Sequence, residues 1–83
     1  MNNEILKFIL NSINKITNKK LKLIKNIIDE EYLHKGYLDS LQIIHFIIIL
    51  EKKYKIKFTI KDKESMEFRT FRGLINIIKR KTR

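Results

Sequence analysis

Residues 41–50 read LQIIHFIIIL, apolar at eight of ten positions, and Asp39-Ser40 stands directly before them. Asp and Ser are favoured at helix N-termini because their oxygens accept the first unpaired backbone N–H groups. Charge returns at Glu51, Lys52 and Lys53, so the spacing predicts a helix over about 40–54. The run is about half the roughly 20 residues that a membrane span requires. A helix this apolar in a short chain has to be central, with neighbours on more than one side. Its core-facing residues are expected to be Leu41, Ile43, Phe46, Ile47 and Leu50, leaving Gln42, Ile44, His45, Ile48 and Lys52 turned away from the core.

The flanking segments supply the neighbours. Ile5, Ile9, Ile13 and Ile16 recur at three- and four-residue spacing, widened by Leu6 and Phe8, while Lys7, Asn11, Asn14 and Lys15 fall opposite. That periodicity predicts a helix over about 3–17. Residues 18–39 read as a loop, and the apolar residues Leu21, Leu23, Ile24, Ile27 and Ile28 fit either a further helical turn or a loop dipping into the core. Residues 55–61 alternate, with Ile56, Phe58 and Ile60 on one side. A lone strand has no partner here, so an extended connector pinned by Ile56 and Phe58 is expected over 55–69, with one short helical turn within 62–67. Thr70 is expected to cap a last helix over about 70–81, with Leu74, Ile77 and Ile78 inward, Phe68 packed near its start, and Lys79, Arg80, Lys81 and Arg83 where cations suit a helix C-terminus. The fold class is therefore all-α: a single-domain bundle of three to four helices.

Composition removes whole classes of chemistry. Without Cys there is no disulfide framework, thiolate zinc site or cysteine nucleophile. With Gly36 and Gly73 as the only glycines, the chain cannot build a glycine-rich phosphate cradle. Asp39, Ser40 and His45 do not make a triad, because adjacent Asp and Ser at a helix start cannot adopt its geometry. The chain is expected not to be an enzyme. Its start, Met-Asn-Asn-Glu, lacks the features of a secretory signal, and a cytoplasmic protein is expected.

Charge is unevenly distributed. The net value is +10, yet residues 29–51 hold five acids (Asp29, Glu30, Glu31, Asp39, Glu51) against Lys35 alone, so the rest carries +14. A nucleic-acid binder would concentrate base on its exposed helix, whereas here the central helix and its approach form the acidic island. That favours a protein partner. With 17 Ile and 15 Lys in 83 residues, much of the basic charge reads as compositional bias. Ile44 and Ile48, four residues apart, would form an exposed apolar ridge suited to docking.

Gly36-Tyr37-Leu38-Asp39-Ser40-Leu41, then Leu50-Glu51 and Ile56, resembles the signature of the acyl and peptidyl carrier proteins. That signature is G-x-x-D-S-L or G-x-D-S-L, an apolar helix ending in L-E, and a short loop with an apolar residue. Phe68-x-Thr70-Phe71-x-x-Leu74 is similar to the same family's lead into its last helix. The resemblance covers about residues 29–78. It implies an acyl-carrier bundle in which a phosphopantetheinyl transferase, using coenzyme A and magnesium, attaches phosphopantetheine to Ser40. Asp39 would aid recognition by the transferase and Leu41 would anchor the helix start. The face bearing Gln42, Ile44, His45 and Ile48 would meet an acyl- or aminoacyl-loading ligase and downstream synthase or transferase enzymes. The implied protein is monomeric, ferries thioesters in fatty-acid-like or specialised biosynthesis, and binds no specific nucleic acid.

The chain also departs from that family. Its members are commonly acidic along the central helix, whereas His45 and Lys52 stand on the outward face here and Gln42 replaces a frequent acid. Standard fatty-acid enzymes would bind such a carrier poorly, and steering would fall to Asp29, Glu30, Glu31 and Asp39. The lead-in Tyr37-Leu38 is nearer to D-alanyl, peptidyl and specialised stand-alone carriers. The alternative reading is a small basic helical module that binds nucleic acid or an anionic membrane surface through Lys19-Lys20, Lys52-Lys53 and the basic C-terminus.

Overall fold

Asp39 and Gln42 start the central helix by exchanging hydrogen bonds. In the computed structural model, which describes residues 3–22 and 26–82, Asp39 Oδ1 accepts from Gln42 N–H and Gln42 Oε1 accepts from Asp39 N–H, both at 2.9 Å. This capping box satisfies two otherwise orphan donors. The described residues form four α-helices: α1 (Asn3–Thr17), α2 (Ser40–Tyr54), α3 (Ile60–Glu64) and α4 (Phe71–Lys81). Two 3₁₀ turns, Ile27–Asp29 and Met66–Arg69, complete the regular structure. The fold is the expected small all-α bundle.

α1 lays its stripe of Leu6, Ile9, Leu10 and Ile13 against α2 and α4. It stops where Asn18 turns left-handed (φ 61°), a conformation Asn tolerates better than most residues. Asn14, expected on the solvent side, instead holds the following loop. Its Nδ2 donates to Leu21 O at 2.9 Å and its Oδ1 accepts from Leu21 N–H at 2.8 Å. Among the described residues of 18–22 and 26–39 the chain is a loop with one 3₁₀ turn, and Ile27, Tyr32 and Leu38 dip into the core. Leu23, Ile24 and Arg83 lie outside the described residues.

Ile56 and Phe58 pin the connector as expected, but Ile60 does not join them and is 74% exposed. The alternation ends at Thr59, whose Oγ1 accepts from Asp62 N–H while Asp62 Oδ2 accepts from Thr59 N–H. That second capping box starts α3 two residues before the expected turn and leaves Ile60 on its outer face. Thr70 caps α4 through Gly73 N–H at 3.0 Å, and Leu74, Ile77 and Ile78 are buried.

Tyr32 occupies the centre of the aromatic core. Its ring stacks on Phe71 at 4.9 Å and meets Phe46 edge-on at 6.2 Å, while its hydroxyl donates to the Phe68 carbonyl. Burial pushes the phenol well above its ordinary value. Below about pH 10 both folded and unfolded phenols are protonated, so the contribution of the buried phenol is intact. Above it the unfolded chain loses the proton while the folded chain keeps it, and stability falls by up to about 1.4 kcal/mol per pH unit. Urea titrations between neutral pH and pH 11 should show Tyr32→Phe less stable at pH 7 by about 1–2 kcal/mol, the cost of stranding the Phe68 carbonyl. The variant should also show a shallower alkaline loss than the wild type. Parallel slopes would mean that Tyr32 ionises freely in the folded state.

Candidate functional site

The helix start at Asp39-Ser40-Leu41 is where the sequence concentrates its candidate chemistry. Asp39 is the N-cap (φ −84°, ψ −178°) and Ser40 the first helical residue. Ser40 is exposed. Because Asp39 and Gln42 complete the cap, the Ser40 hydroxyl has no structural task. The six other Ser and Thr hydroxyls are all committed. Ser12 donates to Phe8 O, Thr17 to Ile13 O, Ser65 to Asp62 O and Thr82 to Lys79 O, while Thr59 and Thr70 cap α3 and α4. Ser40 alone makes no side-chain hydrogen bond among the described residues.

Removing the cap tests the local architecture. Asp39→Ala should cost about 1 kcal/mol, whereas Asp39→Asn, which keeps an accepting oxygen, should cost little. Equal losses in a chemical denaturation series would assign the effect to charge rather than to the bond.

Leu41 corrects the expected geometry: it is 78% exposed rather than inward. Leu50, fully buried, lies nine residues along the helix, about two and a half turns at 3.6 residues per turn. Burying one therefore turns the other to solvent. Leu38, buried just before the cap, anchors the helix start instead. Gln42 is half-buried and holds the capping box, so its amide belongs to the site's scaffold. His45 is exposed, and Ile44 and Ile48 are 56% and 43% exposed. Neither α1 nor α4 covers the ridge.

The acidic approach is more neutralised than its composition implies. Arg72 grips Asp29 through both carboxylate oxygens, at 2.7 and 3.2 Å, and holds its pKa below the ordinary value. Lys35 Nζ sits 2.7 Å from Glu30 Oε2 and lowers the pKa of that group likewise. Glu51 accepts from Phe58 N–H at 2.9 Å. Of the five acids, Glu31, Asp39 and Glu51 have no ion-pair partner among the described residues, and Glu51 is tied to the backbone, so steering by four acids reduces mainly to Glu31 and Asp39. His34 is exposed, and no His/Asp/Glu group among the described residues could hold a metal ion. No described helix is long and apolar enough to cross a membrane.

The sequence marked Ser40 and Asp39 through capping chemistry. The contribution of Leu38 had a weaker signal, an apolar residue at N′ before the cap, as in a hydrophobic staple. Comparison with family models gives no match, and comparison with curated proteins gives none.

Proposed function

We propose that the chain is a stand-alone acyl or aminoacyl carrier whose Ser40 bears phosphopantetheine. The observation that carries this reading is the Ser40 hydroxyl: exposed, uncommitted, and set at the start of a helix whose cap is supplied by its neighbours. The residues fit the group. Ser40 Oγ can be approached from solvent, and the helix N-terminus favours the negative charge of a phosphodiester. In the loading step the Ser40 Oγ–phosphorus bond forms as the pyrophosphate bond of coenzyme A breaks. The hydroxyl proton is lost and adenosine 3′,5′-bisphosphate leaves. When bound, the cofactor supplies the thiol that a chain without Cys lacks.

Asp39 fixes the backbone that presents Ser40, and the Ile44–Ile48 ridge offers partner enzymes an apolar contact in the cytoplasm. The test is an intact mass after incubation with coenzyme A, magnesium and a promiscuous phosphopantetheinyl transferase. One phosphopantetheine increment, mapped to the peptide containing Ser40, is expected. No increment on the folded protein, with a known carrier modified in parallel, would overturn the reading and leave a docking subunit or a basic binding module.

A further inference from the structure

At the C-terminal end of α2 the chain turns back beneath the helix and leaves a cleft of about 440 Å³, lined by Ile48, Glu51, Lys52, Lys55, Ile56 and Lys57. Glu51 sets its shape. Its carbonyl accepts from Lys55 N–H and from Ile56 N–H, the latter at 3.1 Å, and its carboxylate holds Phe58 N–H. Lys55 completes the turn in the left-handed region, at φ 56°. The cleft is thus built into the backbone, and its single carboxylate is tied to that backbone. Ile56 forms a buried floor beside half-exposed Ile48. Lys52, Lys55 and Lys57 are exposed and have no ion-pair partner among the described residues.

We propose that this cleft docks an acidic segment of a partner protein, with an apolar side chain seated between Ile48 and Ile56 and flanking carboxylates on Lys52, Lys55 and Lys57. Charge complementarity selects this occupant. A nucleic acid would leave the apolar floor unused and finds no aromatic ring in the lining on which to stack a base. An anionic membrane lying along α2 would meet the Asp39 carboxylate at its other end. The inference is independent of whether Ser40 is modified.

The test is an amide chemical-shift titration of the full chain at about 150 mM salt, using a short Glu/Leu peptide, its Lys/Leu counterpart, and vesicles of phosphatidylglycerol. The Glu/Leu peptide should shift residues around Ile48, Lys52, Ile56 and Lys57. Lys52→Glu/Lys57→Glu should weaken binding about tenfold or more, since two attractions become repulsions. Ile48→Ser should weaken it without changing its salt dependence. Equal binding of the Lys/Leu peptide, unchanged affinity in the charge-reversed variant, absence of shifts, or preferential binding to vesicles would each overturn the proposal.

Discussion

Ser40→Ala should abolish the phosphopantetheine increment while unfolding at nearly the same denaturant concentration as the wild type. The two halves of this expectation rest on one geometry. The capping work is done by Asp39 Oδ1 and Gln42 Oε1, so losing the Ser40 hydroxyl strands no donor or acceptor. Alanine is also the best helix former, and an exposed substitution of this kind falls within about 0.5 kcal/mol. Ser65→Ala is the informative contrast. It removes a hydroxyl that donates to Asp62 O at 2.8 Å, so it should keep the increment and lose a little stability. Modification that survives Ser40→Ala would remove the carrier reading altogether. A large loss of stability in Ser40→Ala would instead make the hydroxyl a structural group.

The helices were legible because their signals are local. The stripe from Ile5 to Ile16 announced α1, Asp39-Ser40 announced α2, and Thr70 announced α4, each by periodicity or by a side chain able to cap its own helix. What local pattern could not supply was the partner of a long-range contact. Tyr32 sits in a polar-looking stretch beside Glu30, Glu31 and His34. Its burial depends on Phe71 and on the Phe68 carbonyl, both more than thirty residues away. The compensation of Asp29 by Arg72 spans 43 positions, and counting charges along the chain cannot reveal it. Leu41 shows the converse: residue type argued for burial, while helix phase relative to Leu50 argued against it, and phase won. In Leu50-Glu51 followed by Ile56, the physical content of the pattern is the clamp that Glu51 places on the connector.

Gly73→Ala should be the most damaging single-methyl change in the molecule. By propensity alone it would stabilise α4 by about 1 kcal/mol. The methyl, however, would stand 2.0 Å from the Glu67 carbonyl oxygen and 2.6 Å from that residue's carbonyl and α carbons. All three are backbone atoms, so no side-chain rotation relieves the contact. Either α4 or the Met66–Arg69 turn must move. That turn carries Phe68, which meets Phe58 edge-on at 5.6 Å and receives the Tyr32 hydroxyl. Separating the two backbones therefore disturbs the aromatic core as well as the helix. Overpacking of this kind costs about 1–3 kcal/mol, occasionally more, and backbone on both sides puts Gly73→Ala at the upper end. At about 0.05–0.15 kcal/mol per residue the whole fold is worth only about 4–12 kcal/mol, so the change removes a large fraction of it. With a urea slope of about 1 kcal/mol per molar for so small a protein, the midpoint should fall by about 2–3 M. Asn76→Ala, on the exposed side of α4, should leave the midpoint unchanged or raise it slightly, which separates the clash from any general effect of alanine on the helix. A Gly73→Ala protein as stable as the wild type would mean that α4 and the Glu67 carbonyl do not approach each other closely, and the packing of the turn against the helix would have to be redrawn.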